Sequence, residues 1–487
     1  MDSEMSVIPH IKPNSWMPSK SNKVNVESSA SESSEPSKLI AVKRKWNGFV
    51  ESSTLHGLQH VFTSRSPCRR IIWAVFLLLG MAWFSFQSSK LVSKYYSYPV
   101  ATKVTQVYED APEFPAITIC NFNMFRSSAV QASGYADLFT YVLRQSRGID
   151  VSNDTVDWSK YESTNMTEFT LLAGHQIEDT LSTCTFNGEH CTGKNFTAVL
   201  TSMGLCYTFN SGKDGQQILK VKQAGTNFGL HIVLDVHQHD YSAIGYRAGL
   251  RVLIHHHETP PLVSQLGFAV GPGTSTFAAI NKQRVINLPE PYESKCLDKN
   301  ETNVPGYPKY TTLACMLTCK TKFVVEKCGC RDVGMPDVGN SSVCKPLEAV
   351  GCAAREQGNF QKLKGNQCDC PVPCDTISFK PVLSYALFPN DNYVRLTQEL
   401  NGEYGSNVSE ITLHYIQEYI SQNILELTIY FQELGYTAIE QKPAYDSGSL
   451  WAEIGGQVGL CVGASLLTVL EFCDVMLAII GIRLGFR

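Results

Sequence analysis

Glu471 and Asp474 stand three residues apart inside an otherwise apolar stretch near the C-terminus. On a helix they share a face. Charges at membrane depth are costly and mark ion pathways. Repeated around a symmetry axis, these carboxylates would form rings that favour cations, and Glu453 would form a similar ring at the outer mouth. The plainer alternative places Glu471 and Asp474 among the cytoplasmic headgroups. Ahead of them, Gly455, Gly459 and Gly463 recur at every fourth residue. This doubled Gly-x-x-x-Gly lets helices approach closely, and Gly456, Ala464 and Ser465 add further small residues. Gly463-Ala464-Ser465 is also able to leave helical geometry and aim backbone carbonyls at an ion. Broken backbone at membrane depth is tolerated only where protein or a water-filled path covers it.

Sulfur and imidazole are the other reactive groups, with 17 cysteines and 12 histidines in the chain. Cys68, Cys461 and Cys473 lie near or in apolar runs and are expected as free thiols. The remaining cysteines are even in number and lie between those runs, which reads as a disulfide framework outside the cell. Zinc at Cys328-Gly-Cys330 and Cys368-Asp-Cys370 would need reduced thiolates, which an oxidising exterior does not keep. Cys315 and Cys319 are one helical turn apart, as are Cys370 and Cys374, so two segments of matching spacing could be cross-linked like rungs. Such spacing leaves the connectivity open. Histidine as a residue type titrates near neutral pH and adjacent histidines can bind zinc, so His237, His239 and His255 to His257 are candidates for sensing protons or metal, although surface histidines are more often inert.

These groups need a membrane scaffold. Residues 71–89 carry no charge and are rich in Ile, Leu, Phe and Trp, and residues 454–470 are likewise uncharged. A spanning helix needs about 20 such residues. The first run fits directly, and the second fits when extended from 452 to 482. Neither is a signal peptide, because polar sequence precedes the first run. A buried core helix is the alternative for each. Lys43, Arg44, Lys45, Arg65, Arg69 and Arg70 crowd the near flank of the first span, and Arg483 and Arg487 follow the second. Positive residues stay in the cytoplasm, so both termini are expected inside. Lys90 and Lys94 weaken that bias without reversing it. The Asn-X-Ser/Thr acceptors Asn153, Asn165, Asn195, Asn300, Asn340 and Asn407 all fall between the spans, as glycosylation outside the cell requires.

The expected organisation is a disordered, Ser- and Pro-rich cytoplasmic tail at 1–45 and a pre-span segment at 46–69. A first span at 70–94, an extracellular domain at 95–447, a second span at 448–482 and a short cytoplasmic end at 483–487 follow. Residues 230–236, 250–254 and 424–432 read as strands, and 311–327 and 395–422 as helices. The fold class is therefore membrane α+β, with a sheet core and peripheral helices. A formal net charge of −4 offers no basic excess for nucleic acid. No nucleophile elbow, phosphate loop or zincin motif suggests an enzyme.

Several motifs resemble the degenerin, epithelial sodium channel and acid-sensing ion channel family, nearest its acid-sensing and peptide-gated branch. His56-Gly57 resembles the family's gating motif. Phe114-Pro-Ala-Ile-Thr-Ile-Cys120-Asn121 and Gly204-Leu-Cys206-Tyr207 are similar to its signatures after the first span. Residues 455–465 resemble its pore motif, with Gly463, Ala464 and Ser465 as selectivity filter. The likeness runs from about residue 46 to 480. It implies a trimer of two-span subunits with hand-like ectodomains. It also implies disulfides Cys120–Cys206, Cys184–Cys191, Cys296–Cys374, Cys315–Cys370, Cys319–Cys368, Cys328–Cys352 and Cys330–Cys344. Tyr98 and Tyr292 match a wrist contact, Ala452 a position where bulk holds the pore open, and Gly459 a site of amiloride block. Leu434 and Gly435 match a linker that flips in desensitisation.

Departures from the acid-sensing branch cluster on its titratable groups. Val100 stands for a His, Thr105, Gln106 and Thr437 for palm carboxylates, and Gln223 for a Lys at the subunit contact. The expected function is thus a ligand-gated, sodium-preferring, amiloride-sensitive cation channel subunit in the plasma membrane, opened by an extracellular ligand such as a neuropeptide. Proton or mechanical gating is the alternative, and a two-span adhesion or receptor protein the non-channel one. A homo- or heterotrimer in the lipid bilayer is implied, with Na⁺ as permeant ion, no cofactor, and extracellular Ca²⁺ or Zn²⁺ as modulators.

Overall fold

The computed structural model describes residues 35–151, 156–213, 215–297, 309–363, 368–390, 392, 394 and 410–484. It divides into a terminal unit, built from both ends of the chain, and a central unit, Lys94–Asp446.

In the terminal unit, α1 (Glu35–Ser52), α2 (Leu58–Thr63) and α3 (Pro67–Tyr96) precede the central unit. The composition of 1–45 suggests a disordered tail, but from Glu35 onward the chain is helical. Phe49 and Val50 are buried, and the Phe49 ring lies 6.0 Å from that of Phe472. Packing of this kind, rather than propensity, holds a short helix. Helix α3 has 30 residues and is long and apolar enough to cross a membrane. Its side chains Ile71, Phe76, Leu78 and Trp83 are exposed on the single chain, as a lipid-facing helix requires.

Among the described residues, the central unit holds two sheets. The larger has the order β11-β10-β12-β7-β3-β4, with β1 also paired to β12. Its strands are β1 (Val100–Tyr108), β3 (Leu181–Phe186), β4 (Glu189–His190), β7 (Leu230–Asp235), β10 (Thr274–Ile286), β11 (Asp375–Leu387) and β12 (Ile424–Pro443). The smaller has the order β5-β6-β2-β8-β9. It consists of β2 (Ala116–Asn121), β5 (Phe196–Thr201), β6 (Gly204–Phe209), β8 (Leu250–His255) and β9 (Phe268–Val270). Leu230, Ile232 and Leu234 alternate inward on β7 with the two-residue period of a strand. They meet Ile117 and Phe114 from the other layer in one continuous core. Burying each such side chain contributes roughly 1.5–3 kcal/mol.

Seven disulfides join Cys120 to Cys206, Cys184 to Cys191, Cys296 to Cys374, Cys315 to Cys370, Cys319 to Cys368, Cys328 to Cys352 and Cys330 to Cys344. The rung geometry differs from two matched helical turns. Cys315 and Cys319 do lie one turn apart on α4 (Thr312–Cys328), but Cys368 and Cys370 lie on non-helical chain, and Cys374 pairs elsewhere. Four helical residues rise about 6 Å and two extended residues about 6.6 Å, so the two spacings match. Cys328, Cys330, Cys368 and Cys370 are all in disulfides, so neither Cys-x-Cys pair offers zinc a thiolate. Helix α5 (Glu410–Asn423) covers the latter part of the helix read at 395–422, whose earlier residues lie outside those described.

Candidate ion pathway and its coupling strand

The C-terminal apolar stretch is broken. Helix α6 (Ser447–Val462) and helix α7 (Leu466–Leu484) meet at 74°, and together they are long and apolar enough for one span. The break falls on Gly463, Ala464 and Ser465. Gly463 takes φ +70°, and its N–H still donates to Gly459 at 3.0 Å. Ser465 starts α7: its N–H donates to the Thr468 hydroxyl at 3.0 Å, and its own hydroxyl accepts from Thr468 N at 3.4 Å.

A broken helix leaves orphan carbonyls. One of them is met by the segment ahead of α2, where His56 N–H donates to Val462 O at 3.1 Å. The Thr54 and Thr468 hydroxyls are hydrogen-bonded at 2.5 Å. A Cβ built on Gly463 would overlap the His56 ring. The His-Gly segment is therefore seated against the break. Gly57 itself takes φ +89°, with Trp73 beside it. Thr54 and Thr468 were missed from sequence; a lone threonine within an apolar run was the available signal.

Ala452, Glu453, Gly455 and Gly459 lie on α6 and are exposed on the single chain. Glu471 and Asp474 lie on α7; Asp474 is exposed, whereas one Glu471 carboxylate oxygen is buried with no hydrogen-bond partner among the described residues.

In the central unit, the entering and leaving chains are zipped together. β1 and β12 pair antiparallel from Val100↔Pro443 to Tyr108↔Gly435. Just before β1, the Tyr98 ring stands edge-on to Tyr292, with centroids 5.5 Å apart at 74°. Lys94 caps the Tyr445 ring at 4.2 Å.

Leu434 and Gly435 lie within β12, at its one irregularity. Upstream, Ile429 pairs with Leu230 of β7; downstream, Gly435 pairs with Tyr108 of β1. Against β10 the register slips from Ile280↔Phe431 to Lys282↔Tyr436, so four residues of β12 oppose Asn281 alone. Bulges of this kind bend a strand. A Cβ on Gly435 would lie 2.5 Å from Val107 O, so the close strand crossing needs glycine. The bulge is clamped on both sides. Leu434 O accepts from Glu109 N–H at 3.3 Å. The Glu109 carboxylate pairs with the Lys282 ammonium at 2.7 Å, which also sits 5.2 Å over the Tyr436 ring. Glu109 and Lys282 carry no local sequence signal, since 173 residues separate them. Gln106 donates to Glu433 at 2.7 Å, and the Thr437 hydroxyl donates to Gln106 at 3.0 Å.

The histidines separate into two places. His237 adopts a left-handed conformation, and its ring lies 5.6 Å from His239. His255, on β8, bonds Thr118 at 2.8 Å, whereas His257 faces Asn210 at 3.3 Å. They do not gather as metal ligands among the described residues. His255 Nδ1 lies 3.0 Å from the His256 carbonyl and so carries the proton, leaving Nε2 to accept from Thr118. Burial pulls its pKa down to about 4. Burial likewise lowers His257.

The neutral His255 binds no proton in the fold at a pH where the unfolded chain does. Its contribution is complete above about pH 6.5 and is lost as pH falls towards 4. Partial exposure on a cavity wall trims it to about 2 kcal/mol. Thermal unfolding of purified chain should therefore fall more steeply between pH 6.5 and 4.5 than unfolding of His255→Gln. Equal slopes would contradict the assignment.

Asn165, Asn195 and Asn340 are exposed; Asn153, Asn300 and Asn407 lie outside the described residues. Asn165 caps a helix and Asn195 a short turn through Oδ1, which leaves the amide nitrogen for a sugar.

The family model described as amiloride-sensitive sodium channel matches residues 49–475. Acid-sensing ion channel 2 of Rattus norvegicus is 35% identical over 459 residues, covering 90% of this chain and 86% of that protein. Acid-sensing ion channel 1 of Gallus gallus is 34% identical over 462 residues, covering 90% and 85%. A cryo-EM structure of a proton-activated chloride channel aligns with 86% of this chain and 98% of its own at 7% identity and a TM-score of 0.31, too low to carry inference. These relatives are channels, not enzymes, and with a broken apolar span and a disulfide-rich two-sheet unit behind the match, the chain belongs to the amiloride-sensitive sodium channel family.

Proposed function

We propose that three subunits, identical or mixed, form a sodium-preferring cation channel in the plasma membrane, blocked by amiloride and opened by an extracellular ligand such as a neuropeptide. Each subunit crosses the bilayer twice with both termini in the cytoplasm and residues 95–447 outside. Glycine spacing at 455, 459 and 463 supports close packing of α6 around an axis. The bend at Gly463, Ala464 and Ser465 supports a selectivity filter covered from below by His56-Gly57. Glu453, Glu471 and Asp474 supply cation-favouring charge. The Tyr98–Tyr292 contact and the β12 bulge at Leu434 and Gly435 support a path from the outer domain to the pore and a site of desensitisation.

The gating reading is carried by one observation. At Gln106 and Thr437, where the resemblance places carboxylates in acid-sensing channels, the side chains form a hydrogen-bonded set with one acid, Glu433, and the third such position, Thr105, is also uncharged. Uncharged side chains cannot be brought together by protonation. Proton gating is the second reading, and the names of the relatives favour it. Voltage clamp of cells expressing the chain separates the two. A candidate peptide should evoke an amiloride-blocked inward current, and a step to about pH 5.5 should evoke less than about a tenth of it. A larger acid current that disappears in His237→Ala and His239→Ala would overturn the peptide reading.

A further inference from the structure

A hollow of about 500 Å³ lies within the central unit, between the β8–β9 edge of the small sheet, edge strand β11 of the large sheet, and the start of α4. That volume suits a small ligand. Its floor is apolar: Leu253 comes from β8, Phe268 from β9, Ile377 and Phe379 from alternate positions of β11, and Leu313 from α4. Leu266 and Val372, exposed by 53% and 43%, form an apolar lip. The hollow opens to solvent at this lip, so its apolar floor forgoes protein contacts on one side.

The charges on its wall are already matched. The Asp375 carboxylate takes two bonds from Arg284, at 3.0 and 2.9 Å. Glu258 is bonded to Lys309, with His256 Nδ1 3.8 Å from its other oxygen. A cationic guest would have to displace Arg284 or Lys309 from its carboxylate. An anionic guest would face Asp375 and Glu258 directly. Thr376, Ser378 and Asn287 add uncharged polar groups to the wall. An uncharged guest with an aromatic or branched-aliphatic body meets neither cost and recovers the missing contacts.

The walls are mechanically distinct. The start of α4 is stapled to the segment running into β11 by Cys315–Cys370 and Cys319–Cys368, and Tyr310 is tied to Pro371 by a hydrogen bond of 2.7 Å. The helix and the first residues of β11 therefore form one body, and the β8–β9 edge forms the other wall. A guest wedged between them fixes their separation. β11 pairs along β10, which pairs with β12 across the bulge.

We propose that this hollow is a regulatory binding site for an uncharged aromatic or branched-aliphatic group of a small extracellular ligand. The proposal deepens the reading that an extracellular ligand acts on this chain, and supplies that ligand's chemistry. Photolabelling of the purified full-length chain in detergent tests it with benzophenone, an uncharged aromatic ketone. Mass spectrometry should place the label, among peptides of residues 95–447, on 253–260, 310–313 and 372–381. Benzophenone bearing a carboxylate or a trimethylammonium group should label those peptides at least about fivefold less, a selectivity of roughly 1 kcal/mol. Filling the floor by Leu253→Trp, or separately by Ile377→Trp, should cut the label by a similar factor. Label scattered over the outer domain, equal label from the charged probes, or unchanged label in a folded filled variant would each overturn the proposal. The charge comparison uses the unaltered chain, so it stands if both variants misfold. Labelling is read without current: a failed peptide response would count against the gating proposal alone, and a failed label against this site alone.

Discussion

Replacing Ala452 with Trp is expected to produce a standing cation current without any stimulus. Ala452 lies on the same helical face as Gly455, Gly456 and Gly459, three, four and seven residues on, and all four are exposed on the single chain. Small residues at that spacing allow helices to cross closely in a closed pore. An indole cannot be accommodated at such a crossing without moving the helices apart, since packed interiors absorb little added volume. Resting current should rise at least about tenfold over the unaltered chain, which corresponds to about 1.4 kcal/mol of bias toward the open state. Glycine at the same position adds no volume and should leave the resting current low. If the Trp variant reaches the surface and carries no standing current, α6 does not line the pore.

Gly463→Ala should weaken the current strongly while sparing assembly and delivery to the surface. The residue sits at φ +70°, where an L side chain costs about 1 kcal/mol. The added methyl also overlaps the His56 ring, and the backbone that carries that ring is held in place. The His56 backbone N–H donates to Val462 O, and the Thr54 and Thr468 hydroxyls are bonded nearby. Current per surface channel should fall by roughly tenfold or more, by the combined cost of strain and overlap. His56→Ala added to Gly463→Ala removes the overlap but not the strain, so the pair should lose less than the sum of the single effects. Strict additivity would mean that His56 and the helix break at Gly463 do not touch.

The sequence made much of this plan legible through period and composition. The two-residue alternation at 424–432 marked a strand, and the cysteine spacing marked α4. What was hidden depends on long-range contacts. Strand β12 continues to Pro443 because β1 replaces β7 as its neighbour after the bulge, and nothing in residues 433–443 alone announces that exchange. The helix starting at Glu35 was concealed because polar composition dominates its first turns, while Phe49 and Val50 decide its packing. The rung pattern was legible on α4 and misleading at Cys370 and Cys374, where equal spacing sits on extended chain. The five clustered histidines invited a shared metal role. Strand alternation turned His255 toward Thr118, while His257 was left beside Asn210.

If α6 and α7 carry the proposed sodium-preferring cation path, the reversal potential of the Ala452→Trp current reveals it without any need to know the stimulus. In whole-cell recording with external Na⁺, the amiloride-blocked current should reverse at a positive potential. Replacing Na⁺ by N-methyl-D-glucamine should shift the reversal strongly negative, by roughly 58 mV for each tenfold fall in permeant cation at room temperature. Replacing chloride by gluconate should leave it unmoved. A reversal that follows chloride and ignores Na⁺ would mean that these helices carry no such cation path.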